Sequence, residues 1–290
     1  MVTEIGIKVQ NFYNKTPFPD YELERFDTKE DLAHSIYPFA KVLDRSIPQN
    51  ASIIDVGTGT GQLSAFLSIR RKKVYGIDFS DSSLNKAKKL KEKLGLKSWH
   101  LKKTDILDLK QIEELGKFDY VLCLGVLHHT GNAYQGFQNI VKLLKPNGHL
   151  AVGLYNKYGR IPLKTRKILS KTIFKNNQKV KDYFIRIQIG DIKDKERARG
   201  WWNDQYLHPH ETVHTIGEVL DWFKKNNVEY YETIPSTKLF DQTELEISGV
   251  WNNYGVAYPN FPVRLCKQLS WILTNQREGG YWITLGRLIK

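Results

Sequence analysis

Cysteine is scarce in this chain. Cys123 and Cys266 are the two among 290 residues, so no disulfide framework is offered. Cys123 falls in a stretch that reads as a buried strand and Cys266 in one that reads as a helix, and a reducing, cytoplasmic setting is expected. Long hydrophobic runs are missing as well. The longest, Tyr120 to Leu127, is far short of the roughly 20 residues that cross a bilayer, which excludes a membrane-spanning helix. Met1 to Asn14 shows no apolar core behind a basic start, which argues against a secretory leader. There is no internal repeat and no low-complexity tract. With 41% hydrophobic and 26% charged residues, the composition is neither disordered nor fibrous. This length suits one generous α/β domain, or a core with a smaller appendage.

Acidic charge is the other shortage, with 31 Asp and Glu against 44 Lys and Arg, a net charge of +13. The excess is local. Residues 157–199 hold 14 Lys or Arg against 4 acidic residues, Asp182, Asp191, Asp194 and Glu196. Three readings of this segment stay open. It grips RNA phosphates, with Trp201 and Trp202 stacking on bases; it rests on an anionic membrane surface through an amphipathic helix; or it is the solvated face of a substrate lid in a chain rich in lysine throughout.

Five stretches read as buried strands: Ser52 to Val56, Lys73 to Asp78, Ser98 to Leu101, Phe118 to Leu124 and His149 to Leu154. Each but the last is followed by a helical pattern, the signature of a mostly parallel sheet wound on both faces. Ser80 and Asp81 open a Lys-rich helix ending near Leu94, and Gly95 closes it. Pro146-Asn147-Gly148 reads as a turn before the fifth strand. The alternation then breaks at Asn156 to Tyr206, which is basic and helical in pattern. It resumes with a helix (Thr215 to Lys225), a strand (Val228 to Ile234), a helix (Val263 to Asn275), a Gly279-Gly280 turn and a strand (Tyr281 to Leu288).

Three signals carry chemistry. Ile53-Ile54-Asp55-Val56-Gly57-Thr58-Gly59-Thr60-Gly61-Gln62 is a hydrophobic strand running into a glycine turn that opens a helix. Such a turn lets backbone approach a ligand, and the helix start is expected to present free N–H groups. A dinucleotide turn places its third glycine where this chain has Gln62, and Asp55 sits poorly beside a pyrophosphate but well beside an ammonium group. Asp78, ending the second strand, suits a ribose diol. Asp105, after the third strand, suits an adenine amino group, with Ile106 covering a ring face. All three fall at strand carboxyl ends, where ligands bind in such sheets.

Together with Phe118-Asp119-Tyr120-Val121-Leu122-Cys123-Leu124-Gly125-Val126-Leu127-His128-His129-Thr130, these features resemble class I S-adenosylmethionine-dependent methyltransferases. The block Leu143-Leu144-Lys145-Pro146-Asn147-Gly148 is similar to the family's turn before strand five, with Asn147 replacing a glycine. The likeness is close over residues 50–155. It implies a doubly wound, mostly parallel α/β sheet of seven strands, a helical insertion after strand five and an antiparallel terminal strand. It also implies S-adenosylmethionine as cofactor, with S-adenosylhomocysteine as product. Carried over residue by residue, Gly57, Thr58, Gly59 and Gly61 shape the methionine side of the pocket, with Asp55 near its amino group. Asp78 and Phe79 hold the ribose, Asp105 and Ile106 the adenine, and Leu124 and Gly125 lie beneath the sulfonium.

Residues 1–50 read as a helical and aromatic cap on a Rossmann-like domain, 51–290, which the basic lid at 156–210 interrupts. Asn11 to Tyr21 resembles the aromatic and proline-rich opening of some bacterial members of the family, where such a segment caps the cofactor; the resemblance implies that Tyr13 touches the carboxylate or the substrate, and a terminal arm pinned down by its aromatics is the alternative. His128 and His129 are candidate bases beside the methyl, or merely shape their turn. Asp204, His208, His210, Glu211 and His214 form a His-rich cluster without helical ligand spacing or a Cys partner, so no metal is assigned. Tyr155, Tyr206, His208 and His210 are the candidate substrate residues. The function expected is methyl transfer to a small-molecule or lipid-like acceptor. The rivals are a tRNA or rRNA methyltransferase and a non-catalytic protein that binds the cofactor.

Overall fold

The computed structural model describes residues 3–175, 177–190, 195–237, 251, 258–274 and 280–289. Among them, Asn275, Gly279, Asp191 and Asp194 of the sequence reading do not fall. Strand β1 (Ser52–Val56) is buried along its length. Its alternation explains why: Ile53 packs on one side of the sheet, Ile54 and Val56 on the other. The remaining strands are β2 (Lys73–Asp78), β3 (Trp99–Lys103), β4 (Phe118–Leu124), β5 (Leu144–Tyr155), β6 (Val228–Ile234) and β7 (Tyr281–Leu288). Among the described residues they form one sheet in the order β3-β2-β1-β4-β5-β7-β6, with β7 antiparallel to both neighbours and the other pairs parallel. This is the mostly parallel, doubly wound sheet that the resemblance implies.

Two strands depart from their expected bounds. β3 continues to Lys103. β5 begins at Leu144, so Pro146-Asn147-Gly148 lies inside it rather than before it. The proline has no N–H to give to the ladder, and the turn is absorbed as an irregularity: Phe118 pairs with Leu144 and Tyr120 with His149, so β5 advances five residues while β4 advances two. Asn147 takes a positive φ of 61° there.

The cap comprises α1 (Glu4–Lys15), α2 (Lys29–Ser35) and α3 (Pro38–Ser46). The capping box of Thr28 and Asp31 starts α2, and Pro38 starts α3. Then come α4 (Gln62–Ser68), α5 (Asp81–Lys93), α6 (Leu109–Glu113) and α7 (Ala133–Val141). Ser80 caps α5, its side chain accepting the Ser83 N–H. The segment after β5 folds as α8 (Ile161–Thr172), α9 (Gln178–Ile189), α10 (Lys195–Trp202) and a π-helical turn, Asn203–Leu207. It has its own small core of Leu163, Phe184, Trp202 and Tyr206. Last are α11 (Ile216–Lys225) and α12 (Phe261–Thr274). Side chains of α2 to α5 share the core on one sheet face, and those of α6, α7, α11 and α12 the core on the other. Among the described residues no helix is long and apolar enough to cross a membrane.

One buried cation ties the cap to the sheet domain. The Arg71 side chain is fully enclosed, donating to the Asp44 carboxylate and to the carbonyls of Asp44 (2.6 Å) and Ile47 (2.7 Å). Removing it leaves two carbonyls without that donor and the buried Asp44 carboxylate with the half-exposed Arg70 (3.0 Å) as its remaining partner. Arg71→Met should therefore lower unfolding free energy by about 3–5 kcal/mol, read from the urea midpoint; a loss under ~1 kcal/mol would mean that water replaces the guanidinium.

Candidate functional site

The carboxyl ends of β1, β2 and β4 open on a cavity of about 1140 Å³. At its floor the turn after β1 is strained in the way only glycine tolerates, with φ of 70° at Gly57 and 57° at Gly59. Added Cβ atoms would strike the Val126 side chain at Gly57 and the Phe18 carbonyl at Gly59. The glycines thus let the loop after β4 and the N-terminal arm close onto the turn. Gly61 has another role than the one expected. It does not border the cavity, and its missing Cβ makes room for Trp99.

Four N–H groups of the turn are engaged by the protein itself. Thr58 donates to the Ile77 carbonyl (2.9 Å), Gly59 to Asp78 Oδ2 (2.8 Å), Thr60 to the Phe18 carbonyl (3.3 Å) and Gly61 to the Thr58 carbonyl (2.9 Å). The helix start beyond them has no side-chain cap, and Gln62 and Leu63 there border the cavity.

The acids stand on the cavity wall. Asp78 accepts the N–H of Gly59 through Oδ2 and that of Ser80 through Oδ1, both at 2.8 Å. Each oxygen keeps a lone pair, the donor set a vicinal diol requires. Burial raises the Asp78 carboxyl above its ordinary range, against those N–H bonds. Asp55 is pushed up to about 7, chiefly by burial, while hydrogen bonds from Thr58 and Ser64 oppose the rise. Thr58, Phe79, Asp105 and Ile106 border the same space, as do Leu124 and Gly125. The buried Asp55 and the half-buried Asp78 and Asp105 at the strand ends fit a cationic ligand that also carries hydroxyls.

On the lid side the wall is polar. Tyr13 donates to Asp204 Oδ1 at 2.9 Å, joining α1 to the π-helical turn. Gln205 donates to Asp204 Oδ2 (2.7 Å) and to the Tyr155 hydroxyl (2.6 Å), and its carbonyl accepts from Arg160 (2.6 Å). Arg160 is buried, forks onto Glu211 at 3.0 and 2.6 Å, and lies 3.6 Å over the Tyr155 ring. His129 borders the cavity and donates its Nδ1 proton to the His210 carbonyl (3.1 Å), which leaves Nε2 as the acceptor. Burial lowers its pKa to about 4, so the ring is neutral at pH 7.

Four sequence candidates lie elsewhere. His128 is fully buried behind the wall, its ring against that of Tyr155 at 4.0 Å. Tyr206 stacks on Trp202 at 4.0 Å inside the lid core, which also takes Trp202 away from any role in stacking on bases. His208 packs on His129 at 3.8 Å, and His210 offers its carbonyl rather than its ring. None of the four borders the cavity. Among the described residues no three His, Cys, Asp or Glu side chains converge on a metal position.

Gln205 and Tyr37 were missed, and Asp204 was read only as a metal candidate. Asp204 and Gln205 reach the wall through the packing of a lid that no local motif announces. Tyr37 is 42% exposed and borders the cavity. Burial and the neighbouring Asp55 raise its hydroxyl pKa.

Residues 47–226 match the family model described as a methyltransferase domain. The chain belongs to this methyltransferase family. The methyltransferase is 33% identical over 105 residues to a ubiquinone biosynthesis O-methyltransferase of Rickettsia prowazekii, a match covering 36% of this chain and 40% of that protein. It is 23% identical over 201 residues to an uncharacterized protein of Synechococcus, covering 61% of this chain and 47% of that one. The chain thus spans less than half the length of these curated relatives. Its fold is similar to PKMT2 from Rickettsia typhi, with a TM-score of 0.60 and 20% identity, covering 86% of this chain and 52% of that one. That protein has also been solved in complex with AdoHcy, where the TM-score is 0.59.

In the methyltransferase the state of His129 is directly measurable. Nitrogen-15 spectra of the imidazole should show a single Nδ1–H tautomer at pH 7 and a titration midpoint of about 4. A midpoint at the ordinary 6.5 would mean that the ring is solvated rather than enclosed.

Proposed function

We propose that this methyltransferase moves the S-adenosylmethionine methyl group to an oxygen of a small-molecule acceptor, in a reducing, cytoplasmic setting. The observation that carries the reading is that Asp55, Asp78 and Asp105 border one cavity, with Asp78 held there by the N–H groups of Gly59 and Ser80. Asp78 and Phe79 hold the ribose and Asp105 with Ile106 the adenine. Asp55 pairs with the amino group, beside Gly57, Thr58 and Gly59. The Tyr37 hydroxyl, on the same cavity wall, meets the methionine carboxylate. Leu124 and Gly125 form the floor beneath the sulfonium. When bound, the cofactor supplies an electrophilic methyl carbon.

The chain's own residues do the rest. Tyr13, Tyr155 and Gln205 orient the acceptor, and His129 accepts its proton at Nε2 as the oxygen becomes the nucleophile. The cap (1–50) and the lid (156–210) exclude water, and the Tyr13 to Asp204 hydrogen bond links them. The oxygen acceptor is supported by the printed names of the ubiquinone biosynthesis O-methyltransferase relatives. The basic face of the lid is then a solvated surface, and neither RNA nor a membrane is required.

Calorimetry with S-adenosylmethionine and S-adenosylhomocysteine tests the reading first: no binding to the native chain would sink it. Asp78→Ala should weaken binding by about a hundredfold, the worth of two charge-assisted hydrogen bonds, and Tyr37→Phe by roughly fivefold. Affinity should also follow pH. Asp55 is half protonated at about 7 in the free protein, and an ammonium group favours its ionised form, so binding lowers that pKa and releases a proton. Affinity for S-adenosylhomocysteine should therefore fall as pH drops below about 7 and level off above it; a flat profile would separate Asp55 from the amino group.

A further inference from the structure

The lid encloses a group of polar side chains that the cavity does not use. Ser170 of α8 and Tyr206 of the π-helical turn are each 2% exposed, and among the described residues neither the Ser170 Oγ nor the Tyr206 hydroxyl has a hydrogen-bond partner. Arg166 of α8 is half-buried, and its Nε and Nη2 are enclosed and equally unpartnered. Those two nitrogens share one edge of the guanidinium, the edge that meets two oxygens of an oxyanion side by side. Ser170 follows Arg166 by one turn on the inward face of α8. Leu163, one turn before Arg166, packs with Tyr206 in the lid core. The guanidiniums of Arg166 and Arg160 both act on the Tyr206 hydroxyl, opposing the rise that burial imposes on its pKa. Two elements of the lid therefore bring buried donors to one place and supply no acceptor for them, which is costly unless an acceptor comes from outside.

Negative charge is short here as well. Lys167, beside Arg166, is held below the ordinary lysine range by burial, and Lys171, Arg160 and Lys164 add to that effect against Glu211. Glu211 is already taken by the fork of Arg160. We propose that the lid binds a phosphoryl group between α8 and the π-helical turn, with two oxygens on the Nε and Nη2 edge of Arg166 and the others accepting from the Tyr206 and Ser170 hydroxyls. Four donors spread over three side chains suit the divergent oxygens of a tetrahedral oxyanion better than the planar pair of a carboxylate. Free phosphate and a phosphate monoester share this chemistry. Arg166, Ser170 and Tyr206 do not border the cavity, so the site is separate from that of the cofactor and does not rest on the acceptor reading. It bears on the cavity all the same, because the turn that carries Tyr206 also carries Asp204 and Gln205. A phosphoryl group fastens that turn to α8.

The test is calorimetry on the full chain in a phosphate-free buffer of constant ionic strength, with inorganic phosphate, glycerol 3-phosphate and acetate titrated separately. Phosphate should bind, and acetate about tenfold more weakly. Glycerol 3-phosphate binding as well as phosphate supports a site for monoesters, and its failure beside phosphate that binds supports a site for the free ion. Arg166→Gln should weaken phosphate binding by about tenfold or more, and Arg166→Lys, which keeps the charge and loses the fork, nearly as much. Lys179→Gln, on the exposed surface of the lid, should leave it unchanged. Tyr206→Phe, expected to cost about fivefold, is the second variant should the changes at Arg166 prevent folding. No phosphate binding by the native chain overturns the site, as does binding that Arg166→Gln and Tyr206→Phe both leave intact. Acetate binding as tightly as phosphate overturns the tetrahedral ligand.

Discussion

The Asp78 carboxylate accepts the N–H of Gly59 on one side and that of Ser80 on the other, and so ties the turn after β1 to the helix start after β2. Much of the site hangs on that junction. The turn it holds also receives the arm, through Thr60 and Phe18, and the loop after β4, through Val126. A carboxylate locked between two backbone donors has little freedom to turn away. It offers its remaining lone pairs in a fixed direction, and preorganisation of this kind keeps the cost of binding low.

The electrostatics of the cavity are those of a site waiting for positive charge. Burial raises Asp55, Asp78 and Asp204, and burial also lowers His128, His129 and His208, so acids and imidazoles alike are pushed toward neutrality. Arg160, the buried cation of the lid side, is committed to Glu211 and Gln205. A sulfonium with an ammonium group restores ionisation to the acids beside it. The neutral imidazole at His129, its Nδ1 proton held by the His210 carbonyl, adds no positive charge to the cavity wall.

How much of this was legible in the sequence varies with how local the determinant is. Strand-to-turn motifs are local: Asp55, Asp78 and Asp105 each end or follow a strand whose apolar alternation is plain, and topology then brings them to one edge. The bounds of β6 and β7 followed from the same alternation. The Pro146-Asn147-Gly148 turn looked like a stop because its residues favour turns, and only the pairing with β4 shows it absorbed into a strand. Chemistry that depends on packing was not legible. His128 and His129 are adjacent and identical in type, yet one borders the cavity and the other is sealed behind Tyr155. The histidines at 208 and 210 turned out to pack and to brace, and the polar wall fell instead to Asp204 and Gln205 beside them.

The Phe18 carbonyl lies where a side chain at position 59 would begin, and it also accepts the Thr60 N–H. Glycine at 59 is therefore demanded by the protein's own arm before any ligand is considered. In evolutionary terms the two segments are bound to change together. A relative that loses the arm is released from half of the pressure that keeps this residue small, whereas one that keeps the arm has no such freedom, whatever its acceptor.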